Sequence, residues 1–502
     1  MNHEETAGIS RKTAEFLAQN HRLLIGGEWV DSVGSDSIDV INPATEQTIA
    51  RCSAAGPEDI DRAVDAARQA FESGRWPRMT PSERSRLIWN LAEQLSAESE
   101  TLTELEIIDN GMPLHPVGVM TVPGAANVLQ YYAGWPSKIM GHTIPSDRPP
   151  GGTDPAMMYT RREPVGVVGQ ILPWNYPLGM LAMKLGPALA TGCTVVVKPD
   201  EKTPLSALFV GELIRKVGFP PGVVNIVPGF GAKAGAPLAA HDGVDKVAFT
   251  GSSEVGKKIV QAAAGNLKRV SLELGGKSPF IVFPDADIDK VIKAAAFYGF
   301  FLQGQNCQCA SRLFIHDDIF DRVVSGVAAA AENLKVGPGW DPDTRIGPLI
   351  SSGQLDRVQE YVASGTAEGA ELATGGARLD GPGYFMEPAV FTQTNRDMRI
   401  VREEIFGPVI GVQSFADADL GAIARQANDT IYGLVASVWT KDLATAHTLA
   451  ETIKAGVVGI NHHGSGGTFA PFGGYKQSGW GREFGPESLD LYLESKTVVV
   501  RY

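Results

Sequence analysis

Apolar runs rich in Val and Ile recur along this chain and alternate with helical patterns, and that alternation restricts the fold more than any other feature. The runs are VGVVGQIL from Val165, TVVVKP from Thr194, VVNIVP from Val223, KVAFTG from Lys246, SPFIVF from Ser278, RLFIH from Arg312, VASVWT from Val435 and GVVGIN from Gly456. Between them lie helix-like stretches such as PLSALFVGELIRKVG and SEVGKKIVQAAAG. Near-continuous apolar strands separated by helices are buried on both faces, which predicts an α/β fold with parallel sheets covered by helices. The runs fall into two blocks, one before about Gly275 and one after it.

Two segments break the pattern. Residues 139–164 are rich in Pro and Gly, with DRPPGGTD as a turn between β-like flanks. The C-terminal LYLESKTVVVRY ends in a strand with no following helix and nothing local to pair with. Such a strand can add to a neighbour's sheet edge, so subunit association is expected.

Length and charge narrow the class. A chain of 502 residues can hold two or three domains, each with its own core. The net charge of −13 argues against nucleic-acid binding, which needs a basic face. Four cysteines in a chain this long form no disulfide framework, which points to a reducing compartment, the cytoplasm. Cys307 and Cys309 lack a second Cys/His cluster nearby, so no zinc site is expected. The stretch MNHEETAGISRKTAEF has early acids and no apolar core, unlike a signal peptide. Val165–Met183 is apolar enough to consider as a membrane span, but Pro173, Asn175 and Pro177 interrupt it, and a strand, loop and helix fit better.

The chemistry centres on GQNCQCASR, which contains Cys307 between an apolar helix-like stretch and the strand-like RLFIH. A thiolate is the strongest ordinary side-chain nucleophile, so Cys307 is a candidate for covalent catalysis. A buried free thiol, or half of a ligand pair, are the plainer readings. KVAFTGSSEVGKKIV reads as a strand entering a helix through Thr250, Gly251 and Ser252, a place where free N–H groups suit a phosphate. TVVVKPDEKTP ends a strand with Lys198 and then Glu201, an acid placed to accept from ribose hydroxyls or, equally, a solvated pair. ILPWNYPL pins Asn175 between aromatics and prolines, where its amide could serve an oxyanion or a turn. SLELGGKSP puts Glu273 at a strand end beside Leu272 and Leu274, surroundings that raise a carboxyl pKa and suit a base. EEIFGPV and PFGGYKQSGWGRE are glycine-rich loops with the fixed acids Glu404 and Glu483.

These pieces occur together, in order. From LLIGGEWVDS to SKTVVV the chain resembles the NAD(P)-dependent aldehyde dehydrogenase superfamily, carried by PWNYP, FTGSSEVG, LELGGKSP, GQNC, EEIFGPV and PFGGYKQSGWGRE. The resemblance implies an aldehyde dehydrogenase-like fold. A Rossmann-like cofactor domain over 1–138 and 164–275 precedes an α/β catalytic domain over 276–484. A small β oligomerisation element over 139–163 and 485–502 makes a homodimer or homotetramer. It implies NAD-dependent oxidation of an aldehyde to the carboxylic acid. Cys307 is the implied nucleophile and Asn175, with the Cys307 N–H, the oxyanion donor. Glu273 is the implied deacylating base, with Lys184 and Glu483 in a proton network. Losing one oxyanion donor typically costs about 10²–10³ in rate. The implied cofactor residues are Trp174, Lys198, Glu201, Thr250, Gly251, Ser252, Val255, Gly275, Glu404 and Phe406. Glu201 favours NAD over NADP, because a 2′-phosphate would face a carboxylate.

Glu273 also argues for water, not CoA, as the acyl acceptor, since CoA-acylating relatives generally lack it. A Cys-dependent esterase or thioesterase and a non-catalytic structural protein fit fewer of the motifs. The expected substrate pocket comprises Tyr176, Phe301, Asn306, Gln308, His463 and Phe472. The loop INHHGSGGTFAPF carries Gly464, Ser465, Gly466 and Gly467 where many relatives have bulky residues, which predicts a roomier entrance and an aromatic or bulky aldehyde.

Overall fold

The computed structural model describes residues 9–145, 156–416 and 419–501. Two large sheets carry the architecture. The first has eight strands in the order Gly479–Trp480, Arg269–Glu273, Lys246–Thr250, Val167–Ile171, Thr194–Lys198, Val224–Ile226, Leu23–Ile25 and Glu28–Val30. Its five central strands are parallel; the pairings at both margins are antiparallel. The second has seven strands in the order Glu371–Thr374, Ala389–Thr392, Val409–Phe415, Arg312–His316, Pro279–Val282, Val435–Trp439 and Val457–Ile460. All its pairings are parallel except the first.

The Val-rich runs became strands because both their faces are covered. Every residue of Val167–Ile171, Thr194–Lys198 and Lys246–Thr250 is buried. Helix Pro177–Thr191 is apolar nearly all round and lies in the same core, with only Gly179 and Met180 partly accessible. The stretch Val165–Met183 is thus a strand, a loop and the start of a helix, and no helix among the described residues is long and apolar enough to cross a membrane.

One feature differs from the sequence expectation. The division near Gly275 is crossed once: Gly479 and Trp480, late in the chain, pair with Glu273 and Leu272 of the first sheet. Gly479 makes this approach possible, with φ +120° and no room for a Cβ against the Leu272 carbonyl oxygen. The C-terminal strand Leu493–Arg501, for which the local pattern offered no partner, pairs antiparallel with Ala156–Pro164 over nine positions, joining the two segments that the family resemblance grouped as one β element. Local pattern could not show this, because the two strands lie about 330 residues apart. With Thr143–Ile144 they form a three-stranded sheet in which Leu493–Arg501 is an edge. The turn DRPPGGTD falls outside the described residues, as do Met1–Gly8. A further small sheet joins Asn20–His21, Gln47–Ser53 and Ser37–Asn42.

Candidate active site

The carboxyl ends of the first sheet's parallel strands converge on one region, the usual ligand edge of such a sheet. Val167–Ile171 runs into Trp174, Asn175 and Tyr176 before a helix opens at Pro177. Asn110 Nδ2 donates to the Trp174 carbonyl at 2.5 Å, and Glu106 Oε1 accepts from the Leu178 N–H at 3.2 Å, so this loop is held from behind. Arg269–Glu273 ends on Glu273, and Gly275 and Gly276 follow. Cys307 arrives from the other sheet's side, after the turn Phe301–Gly304, where Leu302 and Gln303 take φ of +51° and +58°. Two left-handed non-glycine residues in a row are uncommon strain. Gln303 Nε2 helps hold them, donating to the carbonyls of Gly111 at 3.2 Å and Pro348 at 3.1 Å.

Asn175 Nδ2 donates to the Gln305 carbonyl at 3.0 Å, which places the amide two residues upstream of Cys307. Gln305 was not read from the sequence, yet it ties three segments together: its Oε1 also accepts from Ile350 N at 3.0 Å. Gly276 is glycine for a local reason, since a Cβ there would collide with the Cys307 carbonyl oxygen.

The electrostatics are those of dry, paired groups. Burial pushes the half-buried Cys307 thiol pKa up, and the nearby carboxylates Glu404 and Glu273 add to the rise. Burial likewise raises Glu273 well above the usual carboxyl range, helped by Glu483 and opposed by Lys184 and Arg482. Lys184 and Glu483 form a buried ion pair. Glu273 Oε2 and Glu483 Oε2 are buried without a protein hydrogen-bond partner, so each retains an acceptor for a water or substrate group. Glu404 is pushed up to about 7 by burial, against the stabilising bond from Gly276 N at 2.9 Å. Its carboxylate occupies the space a Cβ on Gly275 would need.

Residues that could hold a dinucleotide lie on the surface beside these groups. Ser252 caps helix Ser253–Ala263, accepting from Val255 N at 3.3 Å, and the N–H groups of Ser253 and Glu254 have no partner among the described residues, which leaves them for an anion. Thr250 Oγ1 is buried and unpartnered. Gly251 N donates to the Glu273 carbonyl at 3.0 Å, joining this turn to the end of the strand that carries Glu273. Lys198 Nζ lies 3.0 Å from Glu201 Oε2. Burial opposes ionisation of Glu201, but the charge and hydrogen bond of Lys198 prevail and hold it below its ordinary value. An ionised carboxylate is what ribose hydroxyls need. Trp174 and Phe406 meet edge to face at 5.2 Å, and Val255 presents an exposed apolar surface on the helix's first turn.

Cys307 opens on a cavity of about 470 Å³. Tyr176, Phe301, Asn306, Gln308, His463 and Phe472 all contribute to its wall, with Gly464, Ser465 and Gly467 but not Gly466. His463 forms wall only: its ring is fully buried, with Nδ1 3.0 Å from Ser437 Oγ and Nε2 2.7 Å from the Gln308 carbonyl. Sequence reading missed Met180, Phe297, Tyr298 and Phe484, apolar or aromatic wall residues that look like ordinary core positions on their helices and loops. Among the described residues, no Asp, Glu, Lys or Arg lines the cavity. Among the described residues no cluster of three or more His, Cys, Asp or Glu could hold a metal ion.

Comparison with known proteins agrees with this chemistry. The model of the aldehyde dehydrogenase family matches residues 29–498. The chain is 46% identical over 490 residues to aldehyde dehydrogenase 1A1 of Mesocricetus auratus, covering 97% of this chain and 96% of that protein. It is 46% identical over 484 residues to the mitochondrial aldehyde dehydrogenase of Rattus norvegicus, covering 96% and 92%. The structure of the NAD⁺ complex of a Bacillus cereus aldehyde dehydrogenase superposes with a TM-score of 0.95 at 47% identity, covering 98% and 99% of the two chains.

Proposed function

The chain belongs to the aldehyde dehydrogenase family and is an oxidoreductase acting on aldehydes with a nicotinamide cofactor; within that activity, we propose that Cys307 is the nucleophile, NAD the favoured cofactor and a bulky, uncharged aldehyde the substrate. The observation that carries this reading is the position of Cys307. It stands on the wall of a cavity free of charged side chains, beside the converging strand ends that bear Asn175 and Glu273.

In this reading the Cys307 thiol gives up its proton to water in the cavity, the sulfur adds to the aldehyde carbon, and the carbonyl electrons move to oxygen. The Asn175 amide has one N–H committed to Gln305, which leaves the other for that oxygen, together with the Cys307 N–H. When bound, a nicotinamide dinucleotide supplies the hydride acceptor. Glu273 takes a proton from the water that attacks the resulting thioester, the acid leaves, and Cys307 is regenerated. Lys184 and Glu483 extend the network that fixes the charge around Glu273. Trp174, Lys198, Glu201, Thr250, Gly251, Ser252, Val255, Gly275, Glu404 and Phe406 form the cofactor surface.

The charge-free cavity wall favours aromatic or bulky aldehydes over those carrying a carboxylate or ammonium, which would be desolvated without a partner. The preference for NAD rests on the ionised Glu201. Glu201→Gln is expected to raise the ratio of kcat/KM for NADP to that for NAD by about ten-fold or more. An unchanged ratio in steady-state assays counts against this role. A panel of aldehydes assayed by the absorbance of the reduced nicotinamide tests the reading as a whole.

The domain limits proposed are 1–138 with 164–275 for the cofactor domain, 276–484 for the catalytic domain, and 139–163 with 485–502 for oligomerisation. The edge position of Leu493–Arg501, with Val499 and Val500 exposed, supports association into a dimer or tetramer. Light scattering across a dilution series is expected to give a mass of two or four chains; a monomer throughout would count against it.

A further inference from the structure

Gln308 follows the nucleophile and is clamped on three sides. Its N–H donates to Asn306 Oδ1 at 3.1 Å, its carbonyl accepts from His463 Nε2 at 2.7 Å, and its side-chain Oε1 accepts from Ser465 N at 2.8 Å. The roles follow from elementary donor chemistry. A peptide carbonyl only accepts, so His463 carries its hydrogen on Nε2, and Nδ1, 3.0 Å from Ser437 Oγ, accepts from that hydroxyl. A backbone N–H only donates, so the end of the Gln308 carboxamide facing Ser465 is oxygen. The amide's orientation is thereby determined.

That orientation leaves the two hydrogens of Gln308 Nε2 without a hydrogen-bond partner among the described residues. Gln308 is half-buried and lines the cavity beside Cys307. A glycine in the loop supports the clamp: Gly464 takes φ +97°, a conformation side chains rarely adopt, just before the Ser465 N–H that meets Gln308 Oε1. The loop that lines the cavity therefore also fixes which end of the Gln308 amide is left for a ligand.

We propose that the Gln308 amide nitrogen is a specificity-determining donor, selecting aldehydes that carry an oxygen acceptor, such as an alkoxy group, on an aromatic ring. The proposal rests on the aldehyde-oxidising reading of the same cavity. His463, Ser437 and Ser465 act on it as positioning residues. A neutral hydrogen bond in a partly dry site discriminates by about ten-fold.

The test uses the full-length enzyme with NAD, benzaldehyde and its ortho-, meta- and para-methoxy derivatives, whose ether oxygen accepts but cannot donate. At least one isomer is expected to exceed benzaldehyde in kcat/KM by about ten-fold. Gln308→Met, which removes both the donor and the clamp to Ser465, is expected to bring that ratio near unity. Gln308→Glu keeps an acceptor for Ser465 and removes only the donor, so it separates the two effects; its ratio should fall as well. In the same variant the matching hydroxybenzaldehyde, which can donate to a carboxylate, is expected to overtake the methoxy compound. The proposal is overturned if no methoxy isomer exceeds benzaldehyde, or if the preference survives in Gln308→Glu. Failure of the wild-type enzyme to oxidise any aldehyde would instead sink the underlying reading, and the proposal with it.

Discussion

Replacing Cys307 with alanine is expected to lower kcat by about 10⁴-fold or more, the scale on which covalent catalysts lose activity without their nucleophile. The reason is geometric as well as chemical. Cys309, two residues on, is buried and donates to the Gly299 carbonyl at 3.1 Å, so its sulfur is held away from Cys307's place on the cavity wall and cannot substitute. Cysteine 307 contributes wall surface but no partner on which the fold depends, so the variant should remain folded and bind NAD with near-normal affinity, measured by titration calorimetry. Stoichiometric labelling of the wild type by iodoacetamide, with loss of activity, should disappear at this position in Cys307→Ala by peptide mass analysis. A variant that retained more than about a hundredth of wild-type kcat would reject Cys307 as nucleophile.

Glu273→Gln is expected to separate the two halves of the reaction. Steady-state turnover should fall by about 10²–10⁴-fold, the range for loss of a general base. A burst of about one reduced nicotinamide per active subunit should survive, because acylation precedes the step that needs the base. The acyl-enzyme should then be visible as an added acyl mass on the intact protein. Loss of the burst along with turnover, or no loss of turnover, would contradict the assignment.

The pH dependence follows with a definite sign. Only ionised Glu273 is a base, and burial raises its pKa well above the ordinary carboxyl value. Wild-type kcat should therefore fall as pH drops through that raised value, earlier than an exposed glutamate would allow. Glu273→Gln should lack this acid limb. A pH–kcat profile of both proteins provides the check.

Much of this was legible from order and spacing. The Val-rich runs from Val165, Thr194, Lys246 and Ser278 are strands because a buried parallel strand needs apolar residues on both faces, a demand written locally. Asn175, Glu273 and Cys307 are singled out because their motifs occur in the order of the aldehyde dehydrogenase family, and their catalytic roles stand as proposals for the experiments above to test. Gln305 could not be named, since nothing in its neighbours announces that its carbonyl will receive the Asn175 amide 130 residues away. Nor could the pairing of Gly479 with Glu273. His463 shows the same limit differently. Its place in a glycine-rich loop suggested a cavity-facing side chain, whereas burial pushes its pKa down to about 4 and its ring is committed to Ser437 and Gln308.

The sequence by itself determined the α/β class and the family and pointed to candidate catalytic side chains, because periodicity and short motifs are properties of neighbouring residues. Only the tertiary structure decided how those side chains are biased. The raised pKa values of Cys307 and Glu273 come from burial and from carboxylates far away along the chain. The orientation of the Gln308 amide comes from one backbone N–H in a loop 157 residues later. Desolvation, charge proximity and donor direction depend on distance in space, and that is set only when the two sheets and their loops close around the cavity.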